Sequence, residues 1–389
     1  MANTLTGLIP DFQEAMDVIS RELVGFIPAV ARDSRLDRVA LNQNVTIPIT
    51  RTPGASATNT PGVTAPDTGD DTVDYTQVTI SKSKHQPIRF NGEETLGLSN
   101  AGTFSSIRAA RTYQAIRKLV NEIEQDLWLA GYKASSRGCG TAGTAPFGTA
   151  ADFTDFAGAR RILEQNGAPT NDLQLVLGHA AMFNLRGKQS GLFKVNEAGT
   201  ADMLRNGMTD RIMGMAIRHS DAIGVHTKGA ATGALINNAS GEAVGETTLT
   251  LDTITVNTTG ILAGDVVTHA SDSTNKYIVN TGLVATSGDI VIGAPGLLVA
   301  AANNDAVSVG NSYTPNLAFD RGAIVLAARM PAMPEGGDSA ADITQLTDPI
   351  SGLTFEFALY KQFLQNVIHV RLAWGTKAIK SAHIATLIG

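Results

Sequence analysis

Residues 103–131 read TFSSIRAARTYQAIRKLVNEIEQDLWLAG, and nothing among them breaks a helix. Ile107, Ala110, Ala115, Val120, Ile123 and Leu127 recur on one side at helical spacing. At about 1.5 Å per residue the stretch predicts a helix on the order of 40 Å long. Its charges run against the helix dipole: Arg108, Arg111, Arg117 and Lys118 lie early, and Glu122, Glu124 and Asp126 lie late. Each misplaced terminal charge costs about 0.3–1 kcal/mol. Either something outside the helix compensates, such as acids on a neighbouring chain, or a helix of this length tolerates the order.

On the N-terminal side the character reverses. Residues 51–75, RTPGASATNTPGVTAPDTGDDTVDY, hold three prolines, many Gly and Thr, and acids at Asp67, Asp70, Asp71 and Asp74. Almost no large apolar residue is present, so no core can be built from the stretch, and a long projecting loop is expected. Alternation at Val45, Ile47 and Ile49, and again over 76–90 at Val78, Ile80, Ile88 and Phe90, predicts strands on either side and hence a long hairpin. Earlier still, Phe12, Met16, Ile19, Leu23 and Phe26 after Pro10 predict an amphipathic helix over 10–27. Residues 28–41, with alternating charges, follow as an extended arm.

On the C-terminal side, SSRGCGTAGTAPFGTA reads as a Gly-rich turn. Asp155 is placed to cap a short helix bearing Phe156, Ala159, Ile162 and Leu163, stopped by Gly167 and Pro169. A buried strand (173–178) and a helix from about His179 come next, then a loop over 189–210 with a helical piece near 201–205. Over 245–311 short β-rich runs recur at roughly ten-residue spacing: TTLTL, TITV, GDVVTH, KYIV, GDIVI and DAVSV. They predict a small all-β barrel or sandwich inserted in a larger body. FDRGAIVLAAR (319–329) reads as a buried strand, and alternation over Leu353–Leu359 and Ile368–Trp374 adds two more. The fold class is α+β.

A chain of 389 residues exceeds one compact core, so two or three sub-domains are expected. With 43 % apolar and 17 % charged residues it is folded, neither disordered nor membranous. The net charge of −6 argues against a nucleic-acid condenser. No apolar run of about 18 residues offers a membrane span. MANTLTGLIPDFQEAM lacks the pattern of a secretory signal, so cytoplasmic synthesis is expected. The 39 glycines and 5 % aromatics suit strands, bends and extended loops.

Chemistry is hard to find. GCGTAGTAPFG lacks the GK[ST] and the preceding strand of a phosphate loop. The seven histidines form no HxxxH pair, and no GxSxG elbow occurs. Cys139 is alone, so it forms no intramolecular disulfide, and the sequence names no base to activate it. The acceptor tripeptides at Asn44 and Asn257 are chance matches without a secretory signal. Arg160, Arg161, Arg186, Lys188, Arg205, Arg211 and Arg218 allow non-specific phosphate contact. Solvated surface and intersubunit salt bridges are the plainer reading, because no aromatics interleave with them. No cofactor, metal or catalytic residue is expected.

The order of parts is arm, polar hairpin loop, long helix, α+β body, inserted β segment and C-terminal strands. It resembles the tailed-bacteriophage major capsid (coat) proteins of HK97-like fold, and within them the P22-type coat family. The likeness is carried by TFSSIRAARTYQAIRKLVNEIEQDLW, GTAGTAPF, LEQNGAPTNDLQLVLGHAAMFNLRG, NLAFDRGAIVLAARMP and GLTFEFALYKQFLQNVIHVRLAWGTKAIK, with ILAGDVVTHA and NKYIV in the inserted segment. It implies an arm (1–50), an extended loop with adjoining strands (51–92), and a spine helix, peripheral domain and start of the axial domain (93–235). An inserted β-barrel-like domain (236–314) and axial and C-terminal strands (315–389) complete it. It implies a non-catalytic shell subunit of the virion, assembled in the host cytoplasm as pentamers and hexamers around double-stranded DNA. The implied partners are a scaffolding protein, a portal protein and a decoration protein, with no membrane. The family's Lys–Asn crosslinking motif is not matched, so no crosslink is expected. Asp67, Asp70, Asp71 and Asp74 against Arg108, Arg111, Arg117 and Lys118 are the expected intersubunit contacts. A nanocompartment shell of the same fold and a β-rich surface adhesin are the alternatives.

Overall fold

The structure is a computed structural model that describes residues 24–33, 35, 37–49, 58–63, 74–100, 104–150, 152–188, 211–256, 259–347 and 352–389. Along the chain run β1 (Ala31–Arg32), β2 (Asn44–Ile49), β3 (Asp74–Thr79), β4 (Lys82–Asn91), α1 (Gly92–Asn100), α2 (Phe104–Lys133) and β5 (Arg137–Gly140). Next come α3 (Thr154–Gln165), β6 (Leu173–Leu177), α4 (His179–Lys188), β7 (Arg211–Ile212), β8 (Met215–His219) and β9 (Leu235–Ile236). The β-rich segment holds β10 (Thr248–Asp252), β11 (Val266–His269), β12 (Asp272–Thr281), β13 (Gly288–Ile292) and β14 (Val307–Val309). The chain ends with β15 (Pro315–Asp320), β16 (Ile324–Arg329), β17 (Asp342–Thr347), β18 (Thr354–Gln362), β19 (Gln365–Ala378) and β20 (Ile384–Ile388).

Helix α2 is the expected spine, 30 residues long. Ala115, Ile116, Leu119, Val120, Ile123 and Leu127 pack on Ile88, Phe90, Phe357, Ile368, Val370, Leu372 and Trp374 of a six-stranded sheet. Full burial of such a side chain contributes about 1.5–3 kcal/mol, so this seam fixes the spine on the sheet. The first turns stand clear of it: Ile107 is only half-buried and Ala110 is exposed. The sheet runs β1-β16-β19-β18-β17, with β4 paired to β19. The second sheet is mixed and twelve-stranded, β7-β8-β6-β15-β20-β5-β12-β13-β10-β9, with β11 joining β12 to β14. Strands and helices thus combine as the α+β pattern predicts. Strands β2 and β3 pair antiparallel from Asn44↔Thr79 to Ile49↔Asp74, which is the predicted hairpin flanking the polar loop.

Several expectations need correction. Of the helix expected over 10–27, residues 10–23 lie outside the described residues. Its last residues are not helical: the N–H groups of Ala29 and Val30 both reach the Phe26 carbonyl in a tight turn around Pro28. The helical piece near 201–205 also lies outside the described residues. The stretch 319–329 is not one strand. Asp320 caps a 3-10 corner at Arg321–Ala323, so β15 lies in the twelve-stranded sheet and β16 in the six-stranded one. Asp155 does not cap α3; its carboxylate accepts the Phe147 N–H at 2.6 Å, and Asp152 takes the Thr154 N–H at 2.8 Å. TITV is not a strand, because Thr253 adopts φ +53° and only Thr255 bridges to Thr232. Residues 76–90 divide into β3 and β4 at Ile80 and Ser81. The other five short runs of the β-rich segment do form strands, around a core of Leu249, Leu251, Ile261, Val279 and Ile290. They are tied to the body where β12 pairs with β5.

The Gly-rich stretch after the spine is partly strand. β5 (RGCG) lies between β20, parallel, and β12, antiparallel. Glycine allows this close approach: a Cβ on Gly140, at φ +99°, would sit 2.3 Å from the Ile388 carbonyl oxygen. Gly140→Ala is therefore expected to lower stability by about 2–4 kcal/mol in denaturant unfolding. Gly143→Ala, also at positive φ but with open space around it, serves as the control and should cost only about 1 kcal/mol.

Candidate self-association site

The dipole conflict of the spine is settled inside the chain at its acidic end. Lys84 on β4 reaches Glu122 at 2.5 Å, and Lys82 reaches Asp126 at 2.7 Å. The indole N–H of Trp374 donates to the other oxygen of Asp126 at 2.8 Å. Glu124 is buried and faces the arm. Its carboxylate accepts the N–H groups of Gly25 (3.2 Å), Phe26 (3.0 Å) and Ile27 (2.6 Å), and the Ser220 hydroxyl at 2.7 Å. Burial pushes this carboxyl up, opposed by those four donors. The arm is held further along by Asp33 on Arg329 and by Arg38 on Glu356.

The basic end lies along an open strand edge. Among the described residues β4 pairs only with β19, so its other edge faces the spine unpaired. Between them lies a cleft of about 410 Å³, lined by Gln86–Arg89 on β4 and by Arg111, Gln114, Ala115 and Lys118 on the spine. No acidic side chain lines it. Arg111 donates to the Arg89 carbonyl at 3.1 Å and stacks over Phe90. Arg108 and Arg117 lie over Phe104 and Tyr113 instead. Of the four expected spine cations, the cleft thus takes Arg111 and Lys118. Asp74 begins β3; Asp67, Asp70 and Asp71 lie outside the described residues.

A second surface has only a weak sequence signal. Strands β18 and β19 join at Gln362↔Gln365 through a two-residue turn made of Phe363 and Leu364. These side chains are 90 % and 74 % exposed, and Leu364 takes φ +53°. Such turns favour Asn-Gly, which reaches positive φ without strain. The Leu364 carbonyl accepts the Gly92 N–H at 3.0 Å, fixing the turn to the start of α1. Asn91 and Glu94 cap α1 reciprocally, and the helix buries no residue while exposing Leu96. The only trace of this tip in the sequence is an apolar pair, FL, where alternation demands a turn.

No family model and no curated protein matches the chain. Among solved structures, it is similar to the capsid of the cyanophage P-SCSP1u, at 11 % identity over 92 % of this chain and 86 % of that one, with TM-score 0.46. A structure from Mycobacterium phage Che8 is similar at 12 % identity over 90 % and 88 %, with TM-score 0.43. A virus-like particle from Pyrococcus furiosus is similar at 8 % identity over 98 % and 99 %, with TM-score 0.41.

Burial pushes the Cys139 thiol up to about 12, so it is no thiolate nucleophile at neutral pH. Asp221, His179 and His219 form a hydrogen-bonded chain at 2.6 and 3.0 Å, and it ends at His219 Nδ1, which has no partner among the described residues. Among the described residues no cluster of three metal-binding side chains occurs, and no helix is long and apolar enough to cross a membrane. The basic residues that are described find partners within the chain or lie at a helix end. Arg160 pairs with Glu164 at 2.6 Å, Arg211 lies 3.8 Å from Asp172, and Arg186 and Lys188 close the last turn of α4, where the dipole favours them.

Proposed function

We propose that the chain is the major coat subunit of a tailed bacteriophage, of HK97-like, P22-type architecture, and that it works by closing into an icosahedral shell around double-stranded DNA. The domain limits given above for the arm, loop, spine, inserted and axial parts belong to this reading. So do pentamers and hexamers of itself, and scaffolding, portal and decoration proteins as partners. One observation carries it: the open β4 edge is flanked by Arg111 and Lys118 in a cleft with no acidic lining, and an apolar hairpin tip is displayed between β18 and β19. Open strand edges and displayed apolar groups are where chains associate.

The cleft commits to an occupant by charge. An extended segment lying on the β4 edge gains main-chain hydrogen bonds, and acids on it meet Arg111 and Lys118. Residues 66–71 of a second copy, PDTGDD, supply three acids and no core-forming side chain. Weak contacts of this kind, repeated over many copies, close a stable shell. The test is a charge swap. Arg111→Glu with Lys118→Glu should abolish particles seen by electron microscopy, and adding Asp70→Lys with Asp71→Lys should restore them. Particles from the first variant, or no rescue by the second pair, would count against the contact.

A further inference from the structure

The face of the six-stranded sheet turned away from the spine carries two histidines in contact. Ile88 pairs with Ile368 on the spine side, so His85, opposite Arg371, and His369, opposite Pro87, point the other way. The imidazoles stack with centroids 4.6 Å apart and planes 15° from parallel, and Tyr360 of β18 meets His369 edge-on at 5.0 Å.

The charges around the stack leave no counter-ion for a new proton. Arg371 of β19 already holds Asp338 at 2.8 Å and Glu356 of β18 at 3.0 Å, and Arg38 of the arm shares Glu356. Arg89 adds a further cation from β4. Burial, then His85, Arg371 and Arg89, hold His369 below the usual imidazole value against the pull of Asp338. Strand β4 is an edge strand, and Pro87, opposite His369, has no N–H to offer a ladder.

We propose that the His85–His369 stack is an acid-sensitive clasp: the stacked rings hold β4 against β19, and protonation of His369 loosens the strand that leads from the extended hairpin into the spine. The sign follows from linkage. An imidazole that the fold keeps neutral contributes stability above its ordinary value, and that contribution is lost as pH falls through it. An imidazolium at His369 then meets Arg371 and Arg89, whose acids are already engaged.

The clasp works within one chain, so its test is independent of shell assembly. Amide hydrogen exchange of the full-length chain, corrected for intrinsic rates, is compared at pH 7.5 and pH 5.5. Protection of residues 83–86 should fall by about fivefold or more, while β6 changes less than about twofold. His85→Gln and His369→Gln each remove half of the stack and should each bring the change at 83–86 below about twofold. Unchanged wild-type protection at pH 5.5, or the full loss persisting in a folded variant, overturns the proposal. Should one variant fail to fold, the other decides.

Discussion

Glu124→Ala is expected to cost the folded chain about 3–5 kcal/mol, the largest loss from any single polar side chain on the spine. The carboxylate is buried and is the hydrogen-bond acceptor for three successive arm N–H groups, those of Gly25, Phe26 and Ile27. Alanine leaves all three donors and the Ser220 hydroxyl in a dry site. The cost should appear as a lower denaturant midpoint, together with faster exchange of the 25–27 amides. Loss of stability with those amides still protected would show that the turn is held by Phe26 and Ile27 in the core rather than by Glu124. Glu124→Gln then isolates the charge. Burial pushes the carboxyl up from its ordinary 4.5, so the fold binds its proton more tightly than the unfolded chain does. The contribution of that group is complete below its ordinary value and is lost as pH rises through the raised one. The stability of wild type relative to Glu124→Gln should therefore shrink as pH rises through that window. A difference that grows with pH would mean that the four donors outweigh burial.

How much of this could be read beforehand depends on the range of the physics involved. The spine was legible because its stripe repeats through thirty residues with no breaker, and helical period is a local property. The strands flanking the polar loop were legible from their alternation, which is equally local, while residues 51–57 and 64–73 of the loop lie outside the described residues. The 3-10 corner at Arg321 was not, because both strands around it are buried on both faces and so leave no change of period at the turn. Strand β5 was hidden by its glycines, which signal turns locally but here admit the backbone of β20. The roles of the spine charges were half legible. Their order against the dipole was visible, whereas the partners of Glu124 lie 96 to 99 residues away and follow only from the tertiary fold. The apolar tip shows the same limit, since two apolar residues between strands look like core until the strands are seen to pair around them.

That tip allows a test in which fold and assembly move in opposite directions. Leu364 holds φ +53° with its side chain 74 % exposed, so it contributes strain to its own chain and little burial. Leu364→Gly should therefore stabilise the isolated subunit by about 0.5–1 kcal/mol, read as a higher midpoint in denaturant. Phe363→Asp, at a position 90 % exposed, should leave that midpoint within about 0.5 kcal/mol. If the tip is kept apolar because it docks on a second copy, both variants should still lose self-association, by about thirtyfold or more for an anchor worth 2 kcal/mol. Sedimentation of the subunit and counts of closed particles read the two effects separately. A more stable Leu364→Gly chain that assembles as well as wild type would remove the tip from the contact surface. A less stable one would show that the turn is not strained in the way its backbone geometry requires. Only the combination of a firmer subunit and a failed shell has no account in terms of misfolding, because a local backbone cost is then seen to be maintained for a contact that the single chain never makes.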